Sequence, residues 1–149
     1  MAINTKKVII AGLAAGVVMA ILDFVMNGFI FADRMVAEMN AFKPGMGDAM
    51  MAMDSMTMIG FIIIDLVIGM LLAYTYAAMR PRFGAGAKTA VIAAVVLWIF
   101  ATIVSVNYLV MGMMSSGLWW SIGLGYLVCL LIASLVAGAL YSEEGTATA

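Results

Sequence analysis

Histidine is absent from this chain, and cysteine occurs once, as Cys129. The absence of histidine removes the commonest general base and the commonest ligand of haem and metal ions. A single cysteine forms no internal disulfide, so Cys129, inside an apolar run, is expected to be a small packing residue. The chain also lacks a nucleophile beside a base, a phosphate-binding loop and any cofactor motif. We therefore expect no cofactor and no enzymatic activity.

Charged residues are also scarce. They make up 10% of the 149 residues, with a net charge of −1, while 66% of the residues are hydrophobic and the mean hydropathy is +1.18. Because ordinary soluble domains are about a quarter charged, this composition favours the lipid bilayer as the solvent and partner of the chain. No basic stripe is present that could bind a phosphate backbone, so nucleic acid is not an expected partner.

Four apolar stretches are long enough to cross the hydrocarbon, which takes about 20 residues of helix. They cover residues 8–31, 57–79, 89–111 and 119–141. The second is expected to stop at Arg80-Pro81-Arg82 because proline ends helices. The turn at residues 112–117 is short enough to force the last two helices antiparallel. The sequence predicts one all-α membrane domain over residues 1–149, an antiparallel bundle of four transmembrane helices.

Lysine and arginine predict the orientation, because they are enriched on the cytoplasmic side. Five lie at the amino terminus or in the second loop: Lys6, Lys7, Arg80, Arg82 and Lys88. The first loop has only Arg34 and Lys43, which are outnumbered there by acidic residues. We therefore expect a multi-pass protein of the cytoplasmic (inner) membrane with both termini in the cytoplasm.

An alternative for the start of the chain is a signal peptide that begins at Lys6-Lys7 and is cleaved at Val18-Met19-Ala20. The apolar run continues to Phe31, which is long enough to span the membrane, so we favour an uncleaved helix.

The segment between the first two spans is too polar to cross. Residues 32–42 have the pattern of an amphipathic helix with Met35, Met39 and Phe42 on one face. We expect this helix to lie in the outer interface or to cap the bundle, and to end at Lys43-Pro44-Gly45. The short polar tail, residues 142–149, is expected to be disordered.

Small residues at four-residue spacing predict helix interfaces in lipid, because they let backbones approach closely. The small residues of these faces are Gly12, Gly16, Ala20, Gly69, Ala73, Gly125 and Ala133. Asp23 and Asn27 continue the face of the first span, and Asp65 that of the second. We therefore expect these three polar side chains to face protein rather than lipid.

Asp23 and Asp65 form the first candidate site, at nearly equal depth in the outer half of the membrane, with Asn27 one turn above Asp23 and Asn107 approaching from the third span. A carboxylate near the bilayer centre costs about 2.5–3.5 kcal/mol, and no cationic side chain lies within a span to neutralise it. The pair could be doubly protonated, share a proton or hold a cation. We expect at least one member to be neutral at pH 7. A hydrogen-bonded knot that fixes helix register and a proton- or cation-binding site both remain open.

The second candidate site is methionine-rich. Eight of the sixteen methionines lie in or beside the first outer loop, and Met50, Met53, Met56 and Met58 have the spacing of copper-handling methionine motifs. Thioethers select Cu(I), so copper is the alternative to no cofactor. The other interpretation is a flexible apolar surface that fills gaps or docks a partner.

The whole chain resembles small four-helix integral membrane proteins that are common in bacterial genomes. The similarity lies in the Asp23-bearing first helix, the amphipathic outer segment, and Arg80-Pro81-Arg82-Phe83-Gly84-x-Gly86-x-Lys88-Thr89 between spans two and three. The resemblance implies the topology and no particular activity.

Two functions are compatible with these features. The first hypothesis is an accessory or interaction subunit that binds another membrane protein, or itself as a homo-oligomer. The alternative is a transport element that binds a proton or cation at the aspartates, or handles Cu(I) at the methionines.

Overall fold

The computed structural model describes residues 3–142, and over this range the chain is helical without any β-strand. The expected disorder of the tail therefore falls, beyond Ser142, outside the described residues. The elements in chain order are α1 (Thr5–Val25), a π-helical turn (Met26–Ile30), α2 (Ala32–Phe42), α3 (Met46–Met51), α4 (Ser55–Phe83), α5 (Ala87–Val110) and α6 (Ser116–Leu140).

Four helices are long and apolar enough to cross a membrane: α1 with its π-helical turn, α4, α5 and α6. Many of their large apolar side chains point away from the protein, and Phe100 and Val110 are 71% and 80% exposed. Such surfaces suit lipid rather than water. The prediction of an all-helical, multi-pass membrane protein with four spans is confirmed at this level.

The prediction that the second span stops at Pro81 is wrong, because α4 continues through Pro81 to Phe83. Proline removes a single helical hydrogen bond, and in the last turn of a helix this loss is small compared with its cost in the interior. The helix ends instead at Gly84, whose φ of 84° is available to glycine but not to most residues.

The amphipathic helix forms over the predicted residues, 32–42. Met39 is buried, Met35 is half-buried and Phe42 is exposed, so the packed face is centred on the two methionines. Glu38 fixes this helix to the turn between α5 and α6, because its carboxylate accepts hydrogen bonds from the backbone N–H of Ser115 at 2.6 Å and from the Ser115 hydroxyl at 2.7 Å.

At the opposite end of the long helices, residues near the start and the end of the described range meet. The backbone N–H of Asn4 donates to the Tyr141 hydroxyl at 3.2 Å, and the guanidinium of Arg80 lies 5.6 Å from the centre of the Tyr141 ring. The α4–α5 turn joins the same end, since the N–H of Gly86 donates to the Tyr76 hydroxyl at 2.9 Å.

The closest helix contact joins α1 and α4 at three glycines. A Cβ atom added to Gly12 would lie 2.8 Å from the Cα of Met70, and one added to Gly16 would lie 2.6 Å from the Cα of Leu66. A Cβ atom on Gly69 would meet the backbone nitrogen of Gly16 and the carbonyl oxygen of Gly12. The two backbones therefore touch, as close-packed membrane helices do when only small residues separate them.

The other predicted small residues also lie between helices. Ala73 and Ala133 are fully buried and Ala20 is half-buried. A Cβ atom on Gly125 of α6 would overlap the terminal methyl of Met26. The space at Gly125 therefore accommodates the first side chain of the π-helical turn.

Hydrogen bonds also join α5 to α6. The Ser134 hydroxyl donates to the Ala90 carbonyl at 2.7 Å, and the indole N–H of Trp98 donates to the Gly123 carbonyl at 2.6 Å. The indole of Trp119 likewise donates to α5. Polar side chains inside these two spans thus find partners within the protein, as the absence of water in the bilayer requires.

The glycine contact predicts that Gly69→Ala destabilises the protein, because the new methyl group collides with the backbone of α1 rather than with a movable side chain. We expect the free energy of unfolding to fall by about 1–3 kcal/mol, as in other overpacked interiors. Gly60→Ala on the same helix is the matched control, since nothing lies within 4 Å of its added Cβ.

The measurement is unfolding of both variants in mixed detergent micelles, followed by circular dichroism. Equal stabilities of Gly69→Ala and Gly60→Ala would contradict the backbone contact between α1 and α4.

Candidate proton- or cation-binding site

Asp23 and Asn27 lie one turn apart where α1 gives way to the π-helical turn. The amide of Asn27 donates from Nδ2 to Oδ1 of Asp23 at 2.7 Å. The wider turn is closed by the N–H of Phe31, which donates to the carbonyl of Met26 five residues earlier at 2.9 Å. Single π-helical turns at the end of an α-helix are frequent at functional sites. This turn places the Asn27 amide on the Asp23 carboxyl group.

Asp65 lies on α4, one turn from Gly69 and on the same face of the helix. Its side chain is 4% exposed, and among residues 3–142 no hydrogen-bond donor reaches its carboxyl group. The backbone of Asp65 lies against α1, because a Cβ atom on Gly16 would be 3.1 Å from the Asp65 carbonyl oxygen. The close approach of α1 and α4 thus buries this carboxyl group within the protein.

Asp65 lies level with Gly16 of α1, about 10 Å along the helix axis from Asp23 at 1.5 Å per residue, so the two carboxyl groups are near enough to interact electrostatically across the α1–α4 contact. The same charges act on Tyr126 and Cys129 of α6, which completes a three-helix arrangement. Cys129 is buried and Tyr126 is half-buried against the apolar core. The side chain of Tyr126 supplies a phenol hydroxyl, which can both donate and accept a hydrogen bond.

Tyr126 was not identified from the sequence, which assigned α6 only a packing role. A signal existed, because Tyr126 lies in the middle of the fourth span and follows Gly125 of the small-residue face directly in sequence. Periodicity alone does not show whether such a ring points to lipid or to the neighbouring helices.

Asn107 does not join the cluster. Its side chain is exposed, and Nδ2 donates to the carbonyl of Val104 on its own helix at 3.0 Å. Of the four polar residues predicted to converge, Asp23 and Asn27 are joined by a hydrogen bond, and the convergence of Asp65 with them stays a prediction.

Asp54, which precedes α4 outside the membrane-spanning segments, is a carboxyl group that accepts hydrogen bonds, unlike Asp65. Hydrogen bonds from the side chain and the backbone N–H of Thr57 lower the pKa of this exposed carboxyl group, and the backbone bond is 2.8 Å long. Such an aspartate is stabilised as an anion by its helix cap. Asp65 receives no comparable donor from the described part of the chain.

Within residues 3–142, no group of three or more His, Cys, Asp or Glu side chains is arranged to hold a metal ion. The cluster instead consists of two carboxyl groups, one amide and one phenol. Two carboxyl groups that interact electrostatically titrate as a unit. The arrangement can therefore take up and release a proton, or hold a small cation through its carboxyl oxygens.

The four methionines of the possible copper site lie in α3, in the segment that follows it and in the first turns of α4. Met50 is half-buried in α3, whereas Met53, Met56 and Met58 are exposed. Met56 and Met58 lie two residues apart in the first turns of α4, and side chains at that spacing do not face each other. The arrangement therefore gives no support to a single Cu(I) ion bound by all four thioethers.

The different environments of Asn27 and Asn107 give a paired prediction. Asn27→Ala removes the donor to Asp23 and should lower the free energy of unfolding by about 1 kcal/mol, the usual contribution of a hydrogen bond. Asn107→Ala should change it by less than about 0.5 kcal/mol, because exposed substitutions seldom do more. Both variants are compared with the wild type by unfolding in mixed micelles at pH 7. A larger loss for Asn107→Ala than for Asn27→Ala would show that the cluster has been assigned to the wrong asparagine.

Comparison of this chain with protein-family models, with curated proteins and with solved structures found no match. No relative therefore indicates an activity for the cluster, and its function is inferred from Asp23, Asn27, Asp65 and Tyr126 themselves.

Proposed function

We propose that this chain is a small multi-pass protein of the cytoplasmic membrane that binds a proton or a cation at Asp23 and Asp65, as an element of a transport system. Asp65 carries the proposal, because it is 4% exposed within a span and its carboxyl group accepts no hydrogen bond from the described residues. The charge of Asp23 on the neighbouring helix also acts on it. Ionisable groups within transmembrane segments are rare and mark ion pathways and proton relays.

The hydrogen bonding of the cluster favours this role over a structural knot. A knot that fixes helix register needs hydrogen bonds between helices, as α5 and α6 have at Ser134 and Trp98. In the described cluster the carboxyl groups receive one hydrogen bond, from Asn27 to Asp23, and both residues belong to the same continuous helical segment. A carboxyl group that accepts no hydrogen bond, such as that of Asp65, is better suited to binding an ion than to joining helices.

The proposed topology is an antiparallel four-helix bundle with both termini in the cytoplasm. Gly12 faces Met70 and Gly16 faces Leu66, so residue numbers rise along α1 while they fall along α4. The contact between Asn4 and Tyr141 supports a common side for the two ends, and most of the lysines and arginines belong to this side. By the enrichment of such residues on the inner face, this side is cytoplasmic.

Four helices of this length enclose little space, so transport would be carried out by a homo-oligomer or together with another subunit. A second candidate function, an accessory or interaction subunit, is favoured by the exposed methionines at the outer end. Met53, Met56 and Met58 are 41%, 74% and 46% exposed and could adapt to a partner surface.

The transport proposal predicts that Asp65→Asn abolishes ion flux while assembly stays intact, because asparagine keeps the shape of the side chain but cannot ionise. Proton flux is measured with a pH-sensitive dye in proteoliposomes under an imposed membrane potential, and the same assay is repeated with sodium and potassium. We expect the flux of Asp65→Asn and Asp23→Asn vesicles to equal that of protein-free vesicles. Asp33→Asn on α2, which is exposed, removes the same charge and serves as the control.

Native mass spectrometry of the three variants, gently extracted from the membrane, gives the assembly state. Loss of assembly in Asp65→Asn would support a structural knot. Wild-type protein that carries no ion flux but leaves the membrane with other subunits at fixed stoichiometry would support the accessory role instead.

A further inference from the structure

We infer that the ion bound by the Asp23–Asp65 pair is a proton, and that this proton is exchanged with the aqueous phase on the side of α2 and α3. This inference rests on the proposed function, since it names the ion of that site and the side from which the ion enters. The observations that support it are the depth of the pair, the packing on either side of it, and the number of oxygen atoms around it.

The two aspartates lie closer to one end of their helices than to the other. Asp23 lies seven residues from Ile30, the end of its span, and Asp65 lies ten residues from Ser55, the start of α4. At 1.5 Å per residue these separations are about 10 Å and 15 Å. Each aspartate lies eighteen residues from the other end of its helix, at Thr5 or Phe83, which is about 27 Å.

Packing closes the longer route. Inward of Asp65, Gly69 lies directly against the backbones of Gly12 and Gly16, so the α1–α4 contact leaves no room for water. Leu72, which lies further along α4 in the same direction, is fully buried. A proton therefore cannot reach the pair between α1 and α4 from the end that carries the termini.

Packing is looser on the shorter route. Asp23 and Asn27 are both half-buried, and the π-helical turn between them and α2 contains no buried residue. A Cβ atom on Gly28 would meet only the distal ring atoms of Phe24, at 3.8 Å and 3.9 Å. Packing within the protein therefore does not close this shorter route.

The composition of the cluster favours a proton over a metal cation. Divalent cations such as Ca²⁺ take about six to eight oxygen ligands. One carboxyl oxygen of Asp23 already accepts a hydrogen bond from Asn27, which presents its amide nitrogen rather than its oxygen to that carboxyl group. A proton needs only one carboxyl oxygen, and the carboxyl group of Asp65 accepts no hydrogen bond from the described residues that would compete for it.

The titratable groups that act on the pair come from two helices. On α1, Asp23 acts on Asp65. On α6, Tyr126 and Cys129 interact with both aspartates. The third neighbour of α4, helix α5, has no titratable side chain between Lys88 and Tyr108. No cationic side chain of these helices lies at this depth, so proton uptake is the available way to neutralise the pair.

The test uses dicyclohexylcarbodiimide, a membrane-permeant reagent that modifies protonated carboxyl groups in apolar surroundings. Wild-type protein is reconstituted in one orientation in vesicles, and the pH is varied on one side while it is clamped on the other. Modification of Asp65 is measured by mass spectrometry of its peptide. Asp65→Asn serves as the blank, and the Asp33 peptide reports modification of an exposed carboxyl group.

We expect modification of Asp65 to follow the pH on the side of α2 and α3 alone, falling about tenfold per pH unit above the midpoint, as for release of one proton. At fixed pH, replacing choline chloride with sodium, potassium or calcium chloride should leave the extent of Asp65 modification unchanged. Protection by one of these cations at fixed pH would overturn the choice of the proton while preserving the proposed function. Dependence on the pH of the other side would overturn the sidedness. Modification that follows the pH of neither side and is unaffected by cations would overturn both this inference and the proposed function.

Discussion

The contact between the backbones of α1 and α4 determines the rest of the structure. Gly12, Gly16 and Gly69 bring the two helices together without intervening side chains. Because Asp65 lies one turn from Gly69, the same contact buries its carboxyl group beside α1, level with Gly16. In lipid, where apolar surfaces gain little from meeting each other, such close packing is a main source of helix association. The glycines therefore stabilise the fold and also form the inner wall of the candidate site.

Polar groups within the spans fall into two classes. Ser134, Trp98 and Trp119 each donate a hydrogen bond to a neighbouring helix and thereby hold α5 on α6. Asp65 belongs to the other class, since no donor from residues 3–142 reaches it. A buried acceptor without a donor is costly unless a proton or an ion occupies it. This contrast within one small protein supports a binding role for the aspartates.

The spans and the amphipathic helix could be predicted from the sequence because each depends on a local property. A span needs about 20 apolar residues, and helix α2 needs only the spacing of Met35 and Met39. Pro81 was misjudged because its effect depends on its position in the last turn of α4, which a sequence does not fix.

The candidate site could be predicted only in part, for a similar reason. Asp23, Asn27 and Asp65 follow the small-residue faces, so spacing identified them. Asn107 and Tyr126 lie on helices whose rotation depends on long-range packing, and the depth of Asn107 alone did not reveal that its side chain is exposed. The π-helical turn has no pattern of its own, since the space that Gly125 leaves for Met26 comes from α6, about a hundred residues later.

The central claim is that a neutral carboxyl group is buried between α1 and α4. Infrared spectroscopy of metal-free protein in lipid at pH 7 tests it most directly, with wild type compared with Asp65→Asn and Asp23→Asn. The structure predicts a carbonyl band of a protonated carboxylic acid in the wild type that is lost in at least one of the two variants. Spectra in which both aspartates give only carboxylate bands would contradict it.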